Sequence, residues 1–439
     1  MKRYILSIGL LAFAVGSVGS YYAIGSSGDT PEYRLVATEG DAAEGERFTI
    51  SGHYLGGVGS KSLEVSAEGT EYRLGMSFYD VYVRDTRYSF SEYEDLRDLK
   101  REKRNFMRAR SNVNGFYKDA EWLIYAEGIL YGLEGPARLA ELKIDLMEEA
   151  TGRVTNYRIT TDNSTRFQWL AVEDVQRIGD EVHVLARVRL SGSPEDIAEE
   201  FRDYVVDLRS GQLVREAVVV SEKLGGGIGA PLTNGNTSAT QAVMNEISLS
   251  AVSNEVRSQP SEYVVLRSST SRTIHDEGGK KETTTEWRIT AYNYRTGELT
   301  PLSESIPASA SGSGTEYRLS GIRYSVMYYD IDKLWLKHYN VTTGQEEAGN
   351  LELTSAQLGG KAIDQVRLAQ NRLYVLLQTG DKDARRMADS RSIAAVVIDA
   401  DSGKVLYRGE AVYTGAAGKA EEFRKNLWLT NIQALGKSR

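Results

Sequence analysis

Five times in this chain a strand-like run closes on a hydroxyl residue and a glycine, then resumes: Thr151-Gly152, Ser210-Gly211, Thr296-Gly297, Thr343-Gly344 and Ser402-Gly403. An Asp or Asn stands four residues before each of the last four glycines (Asp207, Asn293, Asn340, Asp399), and Glu148 holds that place before the first. The pattern is a hairpin turn with a mechanism. The acid or amide side chain accepts hydrogen bonds from the turn's own N–H groups. The glycine takes the φ > 0 position that a type I turn with a bulge demands. A turn recurring in this way marks a structural repeat, which limits the fold more tightly than composition can. It also gives those acids a structural task, so the most conspicuous polar feature of the chain is read as frame rather than active site.

Between the turns, short stretches alternate apolar and polar residues at a period of two: 48–51, 62–65, 79–83, 122–125, 139–146, 182–188, 204–208 and 214–220. Further runs occupy 263–266, 287–292, 334–339, 372–377 and 394–398. The 26 tyrosines, 42 glycines and 7 prolines suit many strands joined by tight turns. Two units show the repeat most fully. One runs from Arg177-Ile178-Gly179-Asp180 through a strand, a loop and Tyr204-Val205-Val206-Asp207 to Ser210-Gly211; the other runs from Leu368-Ala369-Gln370-Asn371 to Ser402-Gly403. Each is turn, strand, loop, strand, Asp-x-x-Ser-Gly turn and a further strand.

These units resemble blades of β-propellers, in particular quinoprotein-like and WD-type repeats, in which Ala-x-Asp-x-x-Thr-Gly joins two strands. Ala291-Tyr292-Asn293-Tyr294-Arg295-Thr296-Gly297 comes nearest, with Asn for Asp. The likeness covers five short windows. The tryptophan that follows the glycine in quinoprotein blades is missing, with Tyr407 and Pro301 standing four residues after Gly403 and Gly297. The resemblance therefore implies architecture and no quinone cofactor. At roughly 60 residues per unit, 45–435 holds six or seven blades, and a final strand over 426–432 is expected to close the ring on the first. The longest gap, Gly211 to Gly297, carries a Gly/Asn/Ser/Thr-rich loop at 225–241 and a charged tip at 275–282. The expectation is an all-β, six- to seven-bladed β-propeller preceded by one N-terminal transmembrane helix.

Lys2 and Arg3 precede an uncharged stretch that ends at Gly28. Residues 4–24 in a helix would cover ~30 Å, the thickness of a bilayer core. Basic residues before the span and acidic ones after it place the N-terminus in the cytoplasm and the rest outside. The alternative is a signal peptide, with Val18-Gly19-Ser20 at the cleavage site and release at Tyr21. Ala12, Gly16 and Ser20 form a small-xxx-small stripe that would allow helix pairing in lipid. Residues 1–28 are thus read as anchor or signal peptide, 29–44 as a spacer and 45–435 as the propeller. A charged segment at 93–110 reads as a helical insertion, with a solvated helix as one reading. The other is contact by Lys100, Arg101, Lys103, Arg104, Arg108 and Arg110 with anionic lipid or cell-wall polymer.

The chain has no cysteine, which excludes disulfides, thiolate metal sites and a cysteine nucleophile. A net charge of −8 argues against a nucleic-acid partner. His53, His183, His275 and His338 lie far apart, and no two have the three-to-five spacing of a helix-borne metal pair. Neither Gly225–Gly229 nor the 56–62 segment has the spacing of a nucleotide loop. In Glu148-Glu149 and Glu199-Glu200, adjacent strand residues point to opposite faces, so neither pair makes an acid/base site by itself. The sequence assigns no catalytic, cofactor-binding or metal residues. The functional expectation is a membrane-anchored, extracytoplasmic binding, scaffold or sensory protein with a protein or cell-envelope ligand. The alternative is an extracytoplasmic hydrolase or lyase whose site, in the central channel, gathers side chains from several blades.

Overall fold

All five repeat glycines adopt the left-handed backbone their turns require, with φ between +67° at Gly211 and +74° at Gly297. In each, the glycine N–H donates to the carbonyl four residues back, as Gly211 does to Asp207 and Gly403 to Asp399, both at 2.9 Å. The Asp207 carboxylate accepts from the Ser210 N–H at 2.7 Å, and the Asn293 amide oxygen accepts from the Arg295 N–H at 2.8 Å. Each turn joins the third strand of a sheet to its fourth.

The protein is described here by a computed structural model, which covers residues 16–17, 30–56, 60–72, 94–131, 139–161, 167–190, 198–223, 243–256, 259–275, 281–303, 314–379 and 392–435. Strand β1 (Tyr33–Gly40) and helix α1 (Ala42–Gly45) precede β2 (Phe48–Leu55), β3 (Ser60–Val65) and β4 (Thr70–Tyr72). Helices α2 (Glu94–Glu102) and α3 (Arg104–Met107) lead into sheet II: β5 (Phe116–Lys118), β6 (Trp122–Tyr131), β7 (Leu139–Glu148) and β8 (Val154–Thr160). Sheet III is β9 (Phe167–Ile178), β10 (Glu181–Leu190), β11 (Ala198–Asp207) and β12 (Leu213–Lys223). Sheet IV is β13 (Val243–Val252), β14 (Tyr263–His275), β15 (Lys281–Asn293) and β16 (Leu299–Pro301). Sheet V is β17 (Gly314–Ser320), β18 (Arg323–Tyr329), β19 (Lys333–Asn340) and β20 (Leu351–Thr354). Sheet VI is β21 (Ala362–Ala369), β22 (Arg372–Gln378), β23 (Ser392–Asp399) and β24 (Val405–Tyr413), and helix α4 (Ala420–Asn426) then gives way to β25 (Leu427–Ala434).

Neighbours within each sheet are antiparallel and follow chain order, except that sheet I runs β25-β2-β3-β4 and β1 adds a fifth strand outside β24. Sheet I therefore draws on both ends of the described chain, with Phe48 opposite Ala434 and Ile50 opposite Ile432. The sheets stack face to face in sequence. Ile124 and Leu142 of II meet Val184 and Phe167 of III; Leu185 and Phe201 of III meet Leu249 and Leu266 of IV. Val265 and Ala291 of IV meet Val326 and Tyr339 of V; Leu336 of V meets Val366 and Val396 of VI; Tyr374 and Val397 of VI meet Phe48, Ile50 and Leu429 of I. Middle strands are thus covered on both faces and read as unbroken apolar runs, as in 373–377, all buried. Outer strands such as β8 alternate. Six four-stranded antiparallel sheets packed in this order are consistent with propeller blades.

The described sheets number six, within the six or seven blades expected. Two expectations change. The segment read as a spacer contains β1 and α1, because Tyr33 and Leu35 alternate inward and the Tyr33 hydroxyl donates to the Phe423 carbonyl at 2.8 Å. The charged insertion is not a solvated helix. Leu96, Leu99, Phe106 and Met107 bury against Phe116, Leu123, Tyr125 and Met147, on the face of sheet II turned away from sheet III. Two of its basic residues are spent on sheet II: Arg110 pairs with the fully buried Asp145 at 2.6 Å and Lys103 with Glu149 at 2.6 Å. Among the described residues no helix is long and apolar enough to cross a membrane. The proposed span, residues 4–24, lies outside the described residues apart from Gly16 and Ser17, and so does the loop at 225–241.

Candidate functional site at the seam between sheets III and IV

Sheet III has two unlike faces. In β10, Val182, Val184, Ala186 and Val188 enter the apolar seam with sheet II, while His183, Leu185, Arg187 and Arg189 alternate toward sheet IV. In β11, Glu199, Phe201 and Asp203 share that second face. The III/IV seam is therefore apolar only in its middle, around Leu185, Phe201, Leu249, Val264 and Leu266.

At the end nearer the repeat turns, Asp203 is completely buried, and its Oδ2 lies 2.9 Å from His183 Nδ1 and accepts from the Tyr292 hydroxyl at 2.8 Å. Its Oδ1 has no hydrogen-bond partner among the described residues. Next to it the Tyr294 hydroxyl donates to Asp174 at 2.7 Å, and Gln176 Nε2 donates to the same oxygen at 3.1 Å. Gln176 Oε1 accepts the Ser261 N–H at 2.8 Å, which ties sheet III to the connection entering β14. His183 stands edge-on to Tyr294 with ring centroids 5.5 Å apart. Burial first, and then the Asp203 charge, push the Tyr292 phenol above its ordinary value; burial and Asp174 do the same to Tyr294. Both tyrosines are thereby held protonated, as donors to buried carboxylates.

At the opposite end, where the second and third strands of each sheet are joined, the polar groups reach solvent. Arg187 crosses the seam to donate to the Leu249 carbonyl at 2.6 Å, lies 4.7 Å from the Trp169 ring centroid and places Nε 3.0 Å from Glu173. Asn114, just before β5, donates to Glu173 at 3.2 Å. Arg189 pairs with Glu199, and Glu199 stands directly opposite Glu222 across β11 and β12. Glu222 accepts from Ser268 of sheet IV at 3.0 Å and lies 3.5 Å from Arg288. Like charges opposed on neighbouring strands are unfavourable, and here each carboxylate has its own cation. This end combines an indole, guanidinium groups and carboxylates, the set that holds a hydroxylated or mixed-charge ligand.

The structure disposes of the other sequence candidates individually. Glu199 and Glu200 point to opposite faces, Glu200 pairing with Arg202 at 2.7 Å. Glu148 accepts from the Thr151 hydroxyl at 2.6 Å inside its turn, whereas Glu149 holds Lys103. His338 lies 2.8 Å from the Ser325 hydroxyl, a serine–histidine pair closed off from solvent, and burial followed by nearby Arg323 lowers the His338 pKa. His53 is exposed, 3.3 Å from Ser62, and the side chain of His275 lies outside the described residues. Among the described residues no group of three or more His, Asp or Glu is placed to hold a metal. The sequence reading missed the Asp174–Asp203–His183–Tyr292–Tyr294 cluster, whose members come from four strands and the repeat turn after β15. Nothing local marked it, since Asp203 stands among Glu199, Glu200 and Arg202 in the sequence of β11.

No family model and no curated protein matches the chain. Among solved structures it is similar to the periplasmic gluconolactonase PpgL of Pseudomonas aeruginosa, at 13% identity over 89% of this chain and 99% of that one, with a TM-score of 0.28. It is also similar to an ulvan lyase of a polysaccharide lyase family, at 10% identity over 67% of this chain and 69% of that one, with a TM-score of 0.27. A third is the WD40 domain of SCAP from fission yeast, at 7% identity over 63% and 74% of the two chains, with a TM-score of 0.22. Likenesses this distant assign no activity to the chain.

Proposed function

We propose that the protein is a membrane-anchored, extracytoplasmic binding protein, of scaffold or sensory type, that meets a cell-envelope ligand at the end of sheet IV where β14 and β15 are joined and at its seam with sheet III. The single observation that carries this reading is the pairing of the charges there. Arg189 with Glu199, Arg187 with Glu173, and Glu222 with Ser268 and Arg288 satisfy one another without converging on a shared reaction centre. A preformed, internally neutral surface suits recognition, in which few groups need change protonation. The test is co-sedimentation of the purified full-length protein with isolated cell-envelope fragments. Binding that survives moderate salt and weakens in an Arg189→Ala/Arg288→Ala variant is expected. No sedimentation above that of a control protein would sink the proposal.

A second reading, an extracytoplasmic hydrolase or lyase, is favoured by one feature: Glu199 and Glu222 oppose each other in register beside Arg189. Paired carboxylates with different neighbours are what general acid–base chemistry needs. Product release from envelope polysaccharide, abolished in both Glu199→Gln and Glu222→Gln, would favour it over simple binding.

A further inference from the structure

Trp287 is 46% exposed on β15, an unusual position for the largest apolar side chain. It is held there by what lies beneath it. The guanidinium of Arg267, on the paired strand β14, sits over the indole at 4.8 Å from its centroid and over the ring of Tyr317, across the seam in sheet V, at 3.5 Å. Arg267 itself is only 4% exposed. Tyr317 in turn stacks on Tyr324 at 6.4 Å and 6°, and Tyr324 packs against Tyr339 at 6.2 Å. Trp287 is therefore the outermost layer of an indole–guanidinium–phenol stack rooted in the core between sheets IV and V. One indole face is covered by the cation, and the exposure belongs to the rest of the ring.

Strand length puts this ring on a shoulder. β14 and β15 pair over 13 residues, from Tyr263–Asn293 to His275–Lys281, whereas β18 and β19 of the adjoining sheet pair over seven. Sheet IV consequently extends beyond sheet V at the end where β14 and β15 are joined, with Trp287 near the base of the extension. On the same face, two residues along the strand, the Thr285 hydroxyl lies 2.9 Å from that of Ser271, while Glu286 and Arg288 alternate to the opposite face, where Arg288 meets Glu222 of sheet III.

We propose that Trp287 is a stacking platform for the ring of an uncharged pyranose, so that sheet IV reads glycan. This rests on the binding-protein reading above and names its ligand class. A pyranose presents a flat patch of C–H groups to an indole face and hydroxyls around its rim, matching a rigid ring with the Thr285 and Ser271 hydroxyls on the same face of the sheet. The cation already under the indole draws on the same π density, so a cationic ligand gains less on the open face than an uncharged one. A proline-rich peptide, the other common partner of tryptophan, needs a groove between aromatic ridges, and among the described residues of sheet IV Trp287 is the one exposed aromatic ring.

The test uses the full-length chain in a detergent without a sugar headgroup. Its probes are cellohexaose, chitohexaose and maltohexaose, with a decaproline peptide alongside, read by indole emission and calorimetry. Wild type is expected to bind at least one hexasaccharide with a blue shift. Trp287→Ala should lose at least tenfold in affinity while keeping its melting temperature within a few degrees, and Trp287→Tyr should retain part of it. No hexasaccharide bound, equal binding by Trp287→Ala, or decaproline bound in their place would each overturn the assignment. If Trp287→Ala still sediments with envelope fragments like wild type, only the glycan platform falls; if wild type binds neither probes nor fragments, both readings fall.

Discussion

The two seams that sheet III makes with its neighbours differ more than any two sequence-adjacent surfaces of the molecule would suggest. Toward sheet II it presents Val182, Val184, Ala186, Val188, Tyr204 and Val206 to a broad apolar core. Toward sheet IV, one residue along the same strands, it presents His183, Arg187, Arg189, Glu199 and Asp203. The first seam is apolar through its middle and keeps its polar contacts to the margins, where Arg177 pairs with Asp119 at 2.8 Å and the Tyr157 hydroxyl donates to the Arg209 carbonyl at 2.7 Å. The other spends buried hydrogen bonds and ion pairs where hydrocarbon would serve stability equally well, as buried polar groups are weak evidence for stability and better evidence for specificity or use. The polar seam is also flanked by the chain's longest interval between repeat turns, Gly211 to Gly297. The difference teaches that the blades share a frame and that sheets III and IV have departed from it together.

The largest expected effect is in the apolar seam. Phe167, fully buried between II and III, should cost about 3–5 kcal/mol when cut to alanine, seen as a lower urea midpoint with an unchanged slope. If that variant is no less stable than wild type, the II/III seam is not what holds sheet III in place.

Next is Asp203. Its replacement by alanine strands the Tyr292 hydroxyl and His183 inside the protein, for a loss of about 3 kcal/mol. The triple change Asp203→Leu, His183→Leu, Tyr292→Phe should recover most of that. Equal instability of single and triple variants in thermal unfolding would mean that the network contributes more than mutual satisfaction of its own polar groups.

The third is a pH dependence to which the polar seam contributes. Tyr292 and Tyr294 are held above the ordinary phenol value of 10.0 by burial and by Asp203 and Asp174. A folded-state pKa above the unfolded one gives a contribution fully present below about pH 10 and lost as the pH rises through the folded values. Tyr125, against the helical insertion, is pushed up to about 12, chiefly by burial, and adds in the same direction. Unfolding midpoints should therefore fall between pH 9 and pH 11, and the fall should be shallower in Tyr292→Phe. A flat profile would contradict the buried donor geometry.

The smallest effect tests the frame that both seams share. Alanine at Gly297 would meet nothing closer than Arg215 Nη1 at 3.8 Å, so it isolates the cost of a φ of +74°, about 1–2 kcal/mol. At Gly344 the added Cβ would lie 2.2 Å from the Pro301 carbonyl oxygen, and the loss should be larger. Identical losses at the two sites would show that backbone conformation alone, and no steric contact, sets the price.

Much of the frame was legible because its signals are local. A turn acid, a hydroxyl and a glycine within five residues decide their own geometry, and all five repeat glycines have it. Sheet I escaped the same reading because its corresponding turn, Ser66 to Gly69, uses the serine hydroxyl as acceptor from the Glu68 and Gly69 N–H groups, leaving no Asp to find. Strand β1 escaped because Gly-, Ala- and Glu-rich flanks masked the two inward residues, Tyr33 and Leu35, that fix it to β24. The charged insertion showed its helical spacing in sequence, but not that sheet II had an uncovered face to receive Leu96, Leu99, Phe106 and Met107.

By itself, then, the sequence determined the repeat, the turns, the strand-rich class and the absence of cysteine chemistry, because each is written within a few neighbouring residues. Only the tertiary structure decided that Asp203 meets Tyr292, that Arg187 reaches the Leu249 carbonyl and that Trp287 rests on Arg267 and Tyr317. Those partners are set by which sheet faces which, and by a strand register in which one step moves a side chain from one seam to the other. The period-two pattern states that a residue has a face; the packing of the sheets determines what that face meets.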